Sequence, residues 1–369
     1  MAILVIADDL TGAAEIGGIA LRYGLSVEIV HRLTRPTGKD VQILNTNTRS
    51  LKVDEALVHL GRLFPEDAPV KWDWIYLKFD SALRGHIAAE ISFYRRVFGK
   101  NNVVFCPVNP AFGRVIRDGV YWVEGKPIAE TDFAQDPEFP IVKSDVLEAI
   151  HTSDWHLAKD VPERLAADRP FVVAAVEDEE GLNRWASAAT MFGIYAGAAA
   201  FFEALLRHRV QVLPTNEGAA PVSRSSVLYV CGSNHENSAE RIAQVDADKV
   251  VYWQDIGKEK ELARDIGHKI DGEGKVIFAI APLKDREAPT IRASMAKVVA
   301  LLLRDCALQE LFIEGGATAR AVLEALAIDT LLPVWEYGPG VIRNRVPDTA
   351  LIVTLKPGSY PWTENLWPF

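Results

Sequence analysis

The residues of this chain best suited to chemistry stand just after its apolar runs, and the first example is at its start. Ile3-Leu4-Val5-Ile6-Ala7 is a short continuous apolar run, the pattern of a strand buried on both faces, and it ends in Asp8-Asp9-Leu10-Thr11-Gly12. Two adjacent carboxylates at the carboxyl end of a parallel strand stand where open α/β sheets bind ligands. They can orient or deprotonate a hydroxyl, or hold a hydrated metal ion. Thr11 offers a hydroxyl to cap the next helix, and Gly12 admits close approach of the backbone. In the plainer reading Asp8 and Asp9 only cap that helix, and both readings stand open at this point.

Lys78-Phe79-Asp80-Ser81-Ala82-Leu83-Arg84-Gly85-His86 follows the apolar stretch Trp74 to Leu77 and precedes a helical pattern. Lys78, Ser81 and Arg84 at one strand end make an anion site, because the planar fork of arginine matches a carboxylate or phosphate. The alternative is a solvated loop in which Lys78 and Asp80 pair with each other. In Cys106-Pro107-Val108-Asn109-Pro110-Ala111-Phe112-Gly113-Arg114 two prolines fix an irregular loop ahead of a cation; a rigid connection with an incidental arginine is the alternative.

Cys231-Gly232-Ser233-Asn234-His235 and Glu314-Gly315-Gly316-Ala317-Thr318-Ala319 each set a glycine turn between an apolar run and a helical pattern. Backbone N–H groups in such turns can bind phosphate; close packing alone is the competing explanation. Neither the P-loop nor the dinucleotide glycine pattern occurs. Cys106, Cys231 and Cys306 lie far apart, which excludes a CxxC zinc site and argues against a disulfide scaffold. The histidines form no ligand or triad pattern, and metal ligands remain unassigned. Trp122, Trp335, Trp362 and Trp367 read as packing anchors rather than stacking platforms.

Strands and helices must alternate to position these loops. Strands are predicted over Ile3 to Ala7, Ser26 to Val30, Val41 to Leu44, Trp74 to Leu77, Val103 to Phe105 and Phe171 to Val176. Helices are predicted over Ala13 to Tyr23, Val53 to Leu63 and Ala88 to Phe98, with a small hairpin over Tyr121 to Ile128. Gly193 to Leu206 reads as a small-residue apolar helix. Pro214 to Pro221 has linker composition, so domains are expected over residues 1–214 and 222–369. In the second, strands at Ser226 to Cys231, Val250 to Gln254, Lys275 to Ala279, Glu310 to Glu314 and Ala350 to Leu355 alternate with helices at Asn237 to Val245, Lys260 to Lys269, Pro289 to Cys306 and Ala317 to Ala325. This is an α/β pattern with mostly parallel sheets.

With 369 residues, 49% of them hydrophobic and 24% charged, the chain is ordinary globular material, large enough for two domains. The net charge of -10, without clustered Lys and Arg, argues against nucleic acid or an acidic membrane as partner. No apolar stretch reaches the roughly 18 residues of a membrane helix, and no basic leader precedes the first strand, so a cytoplasmic location is expected.

In their order these segments resemble the four-carbon acid sugar kinase family, ATP-dependent kinases of tetronate-type sugar acids. The resemblance rests on Ala7-Asp8-Asp9-Leu10-Thr11-Gly12-Ala13, Lys78 to Gly85, Asn109-Pro110-Ala111-Phe112-Gly113-Arg114, Ala129 to Pro137, Gly232-Ser233, Gly315-Gly316-Ala317-Thr318-Ala319 and Lys356-Pro357-Gly358. It implies two domains of Rossmann-like layering, each a mostly parallel sheet flanked by helices. Residues 1–214 would hold the sugar acid, residues 222–369 would hold ATP with Mg2+, and the active-site cleft would lie between them. It implies catalytic roles for Asp9 and Asp8 at the substrate hydroxyls, with Asp9 preferred as the group that orients or deprotonates. Ser81, Arg84 and Arg114, with Lys78, fall in the substrate pocket, where the arginines would meet the carboxylate. Gly232, Ser233, Gly315, Gly316, Thr318, Lys356 and Gly358 fall on the nucleotide side. The chain departs from the family at Gly197-Ala198-Ala199-Ala200, where a Gly-Ser-Ala-Gly-type run is usual, and at Asn234-His235 and Ala317. Two rival readings accompany it: a non-catalytic sugar-acid sensor on the same fold, and a kinase of another hydroxy acid. Homodimerisation is left open.

Overall fold

The computed structural model describes residues 2–33, 38–64, 72–136, 139–162, 170–189, 192–210, 225–232, 236–280, 288–358, 362 and 366–369. The chain divides into two compact units, residues 1–216 and 217–369. The stretch Pro214 to Pro221, expected as a linker, lies outside the described residues.

The strands of the first unit are β1 (Ile3–Ala7), β2 (Val27–Val30), β3 (Val41–Asn45), β4 (Trp74–Lys78), β5 (Val103–Cys106), β6 (Arg114–Arg117), β7 (Val120–Val123), β8 (Lys126–Pro127), β9 (His156–Ala158), β10 (Phe171–Ala174) and β11 (Ile194–Gly197). Its helices are α1 (Leu10–Arg22), α2 (Val53–Leu63), α3 (Ile87–Val97), α4 (Val146–Ala149), α5 (Glu179–Ser187) and α6 (Ala199–Arg209). The main sheet runs β2-β3-β1-β4-β11-β5-β10-β9, all parallel, while β6, β7 and β8 form a small antiparallel sheet. Every residue of β1 and β4 is buried, as continuous apolar runs require in a sheet covered on both faces.

Two local expectations are corrected. Helix α1 begins at Leu10 rather than Ala13, because the Asp9 carboxylate accepts the Gly12 N–H at 2.9 Å and opens the helix three residues earlier. Gly193 to Leu206 is not one helix: Ile194–Gly197 is the buried strand β11, inserted between β4 and β5, and α6 starts only at Ala199. A run buried on every side carries no period that separates strand from helix.

The second unit contains β12 (Val227–Cys231), β13 (Val250–Trp253), β14 (Lys275–Ile280), β15 (Glu310–Glu314), β16 (Thr330–Gly338), β17 (Val341–Arg345) and β18 (Ile352–Lys356). Its helices are α7 (Glu236–Ala243), α8 (Glu259–Glu273), α9 (Ala288–Asp305) and α10 (Gly316–Ala325). The order β13-β14-β12-β15-β18 is parallel, and the hairpin β16–β17 adds two antiparallel strands beside β18. Trp362 and Trp367 pack with Tyr229 and Phe312, whose rings stack at 4.6 Å between centroids, so these two tryptophans anchor the core.

Each sheet has a reversal of winding near its middle. In the first unit the chain runs from β1 outward through β2 and β3, then returns to lay β4 on the other flank of β1. In the second it runs from β12 through β13 and β14, then returns to lay β15 on the other flank of β12. Such reversals splay the loops after the two flanking strands and open a crevice at their carboxyl ends. Asp8-Asp9 and Phe79 to Arg84 follow β1 and β4; Gly232 and Gly315-Gly316 follow β12 and β15.

Candidate active site

At the first crevice Asp8 and Asp9 share one cation, Arg49. Its Nε donates to Asp8 Oδ2 at 3.0 Å and its Nη2 to Asp8 Oδ1 at 2.6 Å and Asp9 Oδ1 at 2.8 Å. The Asp8 side chain is 1% exposed and that of Asp9 20%. Burial raises the Asp8 pKa above its ordinary value although Arg49 opposes it. For Asp9 burial acts the same way but loses to Arg49, Lys78 and hydrogen bonds from Thr11 and Gly12, so its pKa is lowered. The two neighbours therefore differ: Asp8 is sealed behind Arg49, and Asp9 is the one that a ligand can touch. Asp9 is also the helix cap, so the plain reading of this residue is met, and its exposed edge leaves room for the functional one.

Gly12 is required by this packing. A Cβ there would lie 2.7 Å from Asp9 Oδ1 and 3.1 Å from Lys78 Nζ. The Lys78 ammonium is buried, 3.3 Å from Glu15 and 3.1 Å from the Phe79 carbonyl. It does not pair with Asp80, which instead takes Arg84 through two bonds of 2.6 and 3.2 Å. Arg84 and Arg49 outweigh burial and hold the Asp80 carboxyl well below the usual carboxylate range. Arg84 also donates to Asp136 at 3.0 Å, so two carboxylates hold it.

Arg114 has no carboxylate partner among the described residues. It donates to Ser81 Oγ, its Nε is buried without a partner, and its guanidinium lies 5.4 Å from the Phe133 ring centre, with Arg84 at 5.6 Å from the same ring. Tyr121, from the small sheet, donates its buried hydroxyl to the carbonyls of Ser81 and Pro107 and so ties the loop after β4 to the loop after β5. Behind Asp8, Glu90 is buried on α3 with Oε1 unpartnered; burial first and the Asp8 charge second push its pKa up to about 8.

At the second crevice the register aligns Cys231, Glu314 and Lys356 on neighbouring strands. Lys356 Nζ lies 2.7 Å from Glu314 Oε1, donates to the Pro357 carbonyl at 2.9 Å and stands 5.0 Å from the Trp362 ring centre. Ser238 donates to the same Glu314 oxygen at 2.7 Å. Both ion-pair side chains have no exposed surface. Lys356 thus bears on this crevice through the turn that carries Gly358. Gly232 is packed against Thr318 so closely that a Cβ would overlap the threonine side chain, which is buried. Gly316 opens α10, whose first-turn amides begin there, and the Gly315 N–H is held by the Lys356 carbonyl at 2.9 Å. Ser233, Asn234 and His235 lie outside the described residues.

Sequence reasoning missed Arg49, Glu15, Asp136, Tyr121, Glu90 and Glu314. Arg49 had a signal: Asn45-Thr46-Asn47-Thr48-Arg49 is a polar run directly after a strand that pairs with β1. Among the described residues no group of three His, Cys, Asp or Glu side chains is placed to hold a metal ion, and no helix is long and apolar enough to cross a membrane.

Residues 3–205 match the family model of a sugar-binding N-terminal domain. A D-threonate kinase of Bordetella bronchiseptica is 26% identical over 91% of this chain and 88% of its own length. A 3-oxo-tetronate kinase of Brucella melitensis is 22% identical over 96% and 92%. The chain belongs to the four-carbon acid sugar kinase family. The fold agrees: the crystal structure of a Salmonella typhimurium LT2 protein titled a putative tRNA synthase has a TM-score of 0.78 at 17% identity, covering all of this chain and 98% of that one. The matched span of the family model contains Asp8, Asp9, Arg49, Lys78, Ser81, Arg84 and Arg114, the whole first crevice of this sugar kinase family member.

Proposed function

We propose that this chain is an ATP-dependent kinase that phosphorylates a hydroxyl of a four-carbon sugar acid. The observation that carries the reading is Arg114. Among the described residues, Arg49, Lys78 and Arg84 at the first crevice are each held by carboxylates of the chain, and Arg114 has a hydroxyl and a buried, unpartnered Nε. A substrate carboxylate supplies the missing partner, with Ser81 beside it and Arg84 holding the loop. The relatives' names, D-threonate, 3-oxo-tetronate and D-erythronate kinase, support the same acid class.

Asp9 then acts on the hydroxyl. A carboxylate held below its ordinary pKa is a weak base but a good acceptor, so Asp9 aligns the attacking oxygen and takes its proton late, as phosphoryl transfer through a loose transition state allows. Asp8 serves through Arg49, which fixes the orientation of Asp9. Residues 217–369 take Mg-ATP, with the phosphates on the backbone amides around Gly232 and Gly315-Gly316, where Gly232 lets the turn close against Thr318. The magnesium arrives with the nucleotide. Release of ADP from Mg-ATP on a panel of D-threonate, D-erythronate and 3-oxo-tetronate tests the reading, with turnover expected on at least one. Stabilisation by Mg-ATP without turnover on any four-carbon acid would leave a binding protein or a kinase of another acceptor.

A further inference from the structure

The first unit's sheet has a second polar cavity at its other end. Trp72, Asp73, Trp74, Lys100, Tyr195 and Arg209 line a space of about 270 Å³ at the edge where β4, β5 and β11 begin. β4 joins the two ends, from Trp74 at this cavity to Lys78 at the first crevice, four steps of about 3.3 Å along the strand. None of these residues has a part in the phosphoryl-transfer reading.

The cavity sets two cations, Arg209 and Lys100, beside one carboxylate, Asp73, with which neither is paired. Arg209, at the last turn of α6, has its guanidinium carbon 5.1 Å from the Trp74 ring centre and 4.9 Å from that of Tyr195, and its Nη2 donates to the Tyr195 hydroxyl at 2.7 Å. Among the described residues neither Arg209 nor Lys100 has a carboxylate within ion-pair distance. Asp73 is turned toward the amino-terminal strand, its Oδ2 accepting the Ala2 N–H at 2.7 Å. Trp74 is 5% exposed, and its indole N–H is buried with no acceptor. Closing off the last carbonyls of α6 would account for one basic residue at that place. It does not account for a guanidinium held by two aromatic rings beside a second cation, Lys100, around one volume.

We propose that this cavity is a second ligand site, for a small phosphate or carboxylate whose body is flat and apolar. The anion meets Arg209 and Lys100, and the apolar body lies along Tyr195 and Trp72 at the cavity wall. Such a ligand would brace the far end of β4 and α6, the two elements that reach the first crevice at Lys78 and Ala198.

Titration calorimetry on the full chain with phenyl phosphate tests this, with inorganic phosphate and phenol as the two half-ligands. One phenyl phosphate per chain is expected, bound at least about tenfold more tightly than either half-ligand, as two cooperating contacts require. Arg209→Gln should weaken it by about tenfold or more, the loss of a charge-assisted pair, and Arg114→Gln should leave it unchanged. Lys100 is exposed, so Lys100→Gln tests the same site without risk to folding and should also weaken binding. No binding, parent affinity retained in both cavity variants, half-ligands as tight as phenyl phosphate, or loss in Arg114→Gln instead would each overturn the proposal.

Discussion

The two switch-point crevices are built on the same topology and use charge in opposite ways. After β1 and β4 the charged groups stand at the crevice itself, with Asp9 20% and Arg84 29% exposed and Arg114 lacking a carboxylate. After β12 and β15 the comparable pair among the described residues, Glu314 and Lys356, is sealed at 0%, and the partly exposed positions include glycine backbone at Gly232, Gly315 and Gly316. The difference is the one that the two proposed ligands would require. A sugar acid offers hydroxyls and one carboxylate, which need side chains of both signs. A triphosphate offers only anionic oxygen, which backbone amides at a helix start bind without a side chain.

If the second crevice is held by a sealed ion pair, breaking that pair has the largest effect. Lys356→Met leaves Glu314 buried with Ser238 as its remaining donor, and should cost about 3–5 kcal/mol in denaturant unfolding. Lys78→Met is the matched substitution in the first crevice. Its partner Glu15 is 19% exposed and can turn to water, so the loss there should be smaller. Equal losses would erase the contrast, and the double variant Lys356→Met with Glu314→Gln should recover part of the stability.

The next effect belongs to catalysis. Asp9→Asn keeps the shape of the cap but removes the acceptor charge, and kcat should fall by about 10²-fold or more while Mg-ATP affinity in the second unit is retained. Asp8→Asn should act mainly on stability, since Asp8 is sealed and its partner Arg49 would lose a bidentate contact. A folded Asp9→Asn protein with near-normal kcat would move the reacting hydroxyl away from this corner.

The alternation of strands and helices, and the loops that carry the site, were legible because a buried strand ending in polar residues is a local signal. Asp8, Asp9, Ser81, Arg84 and Arg114, which the structure brings to the ends of β1, β4 and β5, were singled out in this way. Their partners were not, because pairing is a tertiary fact: Arg49 reaches Asp8 across 41 positions, and Asp136 reaches Arg84 across 52. β11 was misread for a different reason. Ile194–Gly197 is enclosed by β4 and β5, so it shows no polar face from which a period could be read. Lys356 was picked out by its motif, yet the depth of its side chain, fully buried against Glu314, is invisible in a sequence that only shows a lysine before Pro-Gly.

Within the first crevice the two arginines separate next. Arg114→Lys replaces a fork by a point charge at the only cation there without a carboxylate among the described residues, and should raise KM for the acid by about tenfold with a smaller change in kcat. Arg84→Lys should lower stability, because Asp80 and Asp136 lose their shared partner, with less effect on KM. A larger rise in KM at Arg84 than at Arg114 would reverse their roles.

The smallest effect lies behind the crevice, and it asks whether all of the first unit's acidity serves the ligand. Glu90 has a folded pKa of about 8, raised by burial and by the charge of Asp8, against about 4.3 for a glutamate in an unfolded chain. Between those values the native protein keeps a proton that the unfolded chain has lost, so Glu90 makes stability fall as pH rises across that window and adds no further slope above it. Glu90→Gln holds the same shape without the titration. Its Tm relative to the parent should therefore climb from about pH 5 to about pH 8, by roughly 2–4 °C for each kcal/mol relieved, and then level off. A Tm difference that stays flat over that range would mean that Glu90 is ionised in the native protein, shares Arg49 with the two aspartates, and belongs with them to the charged crevice.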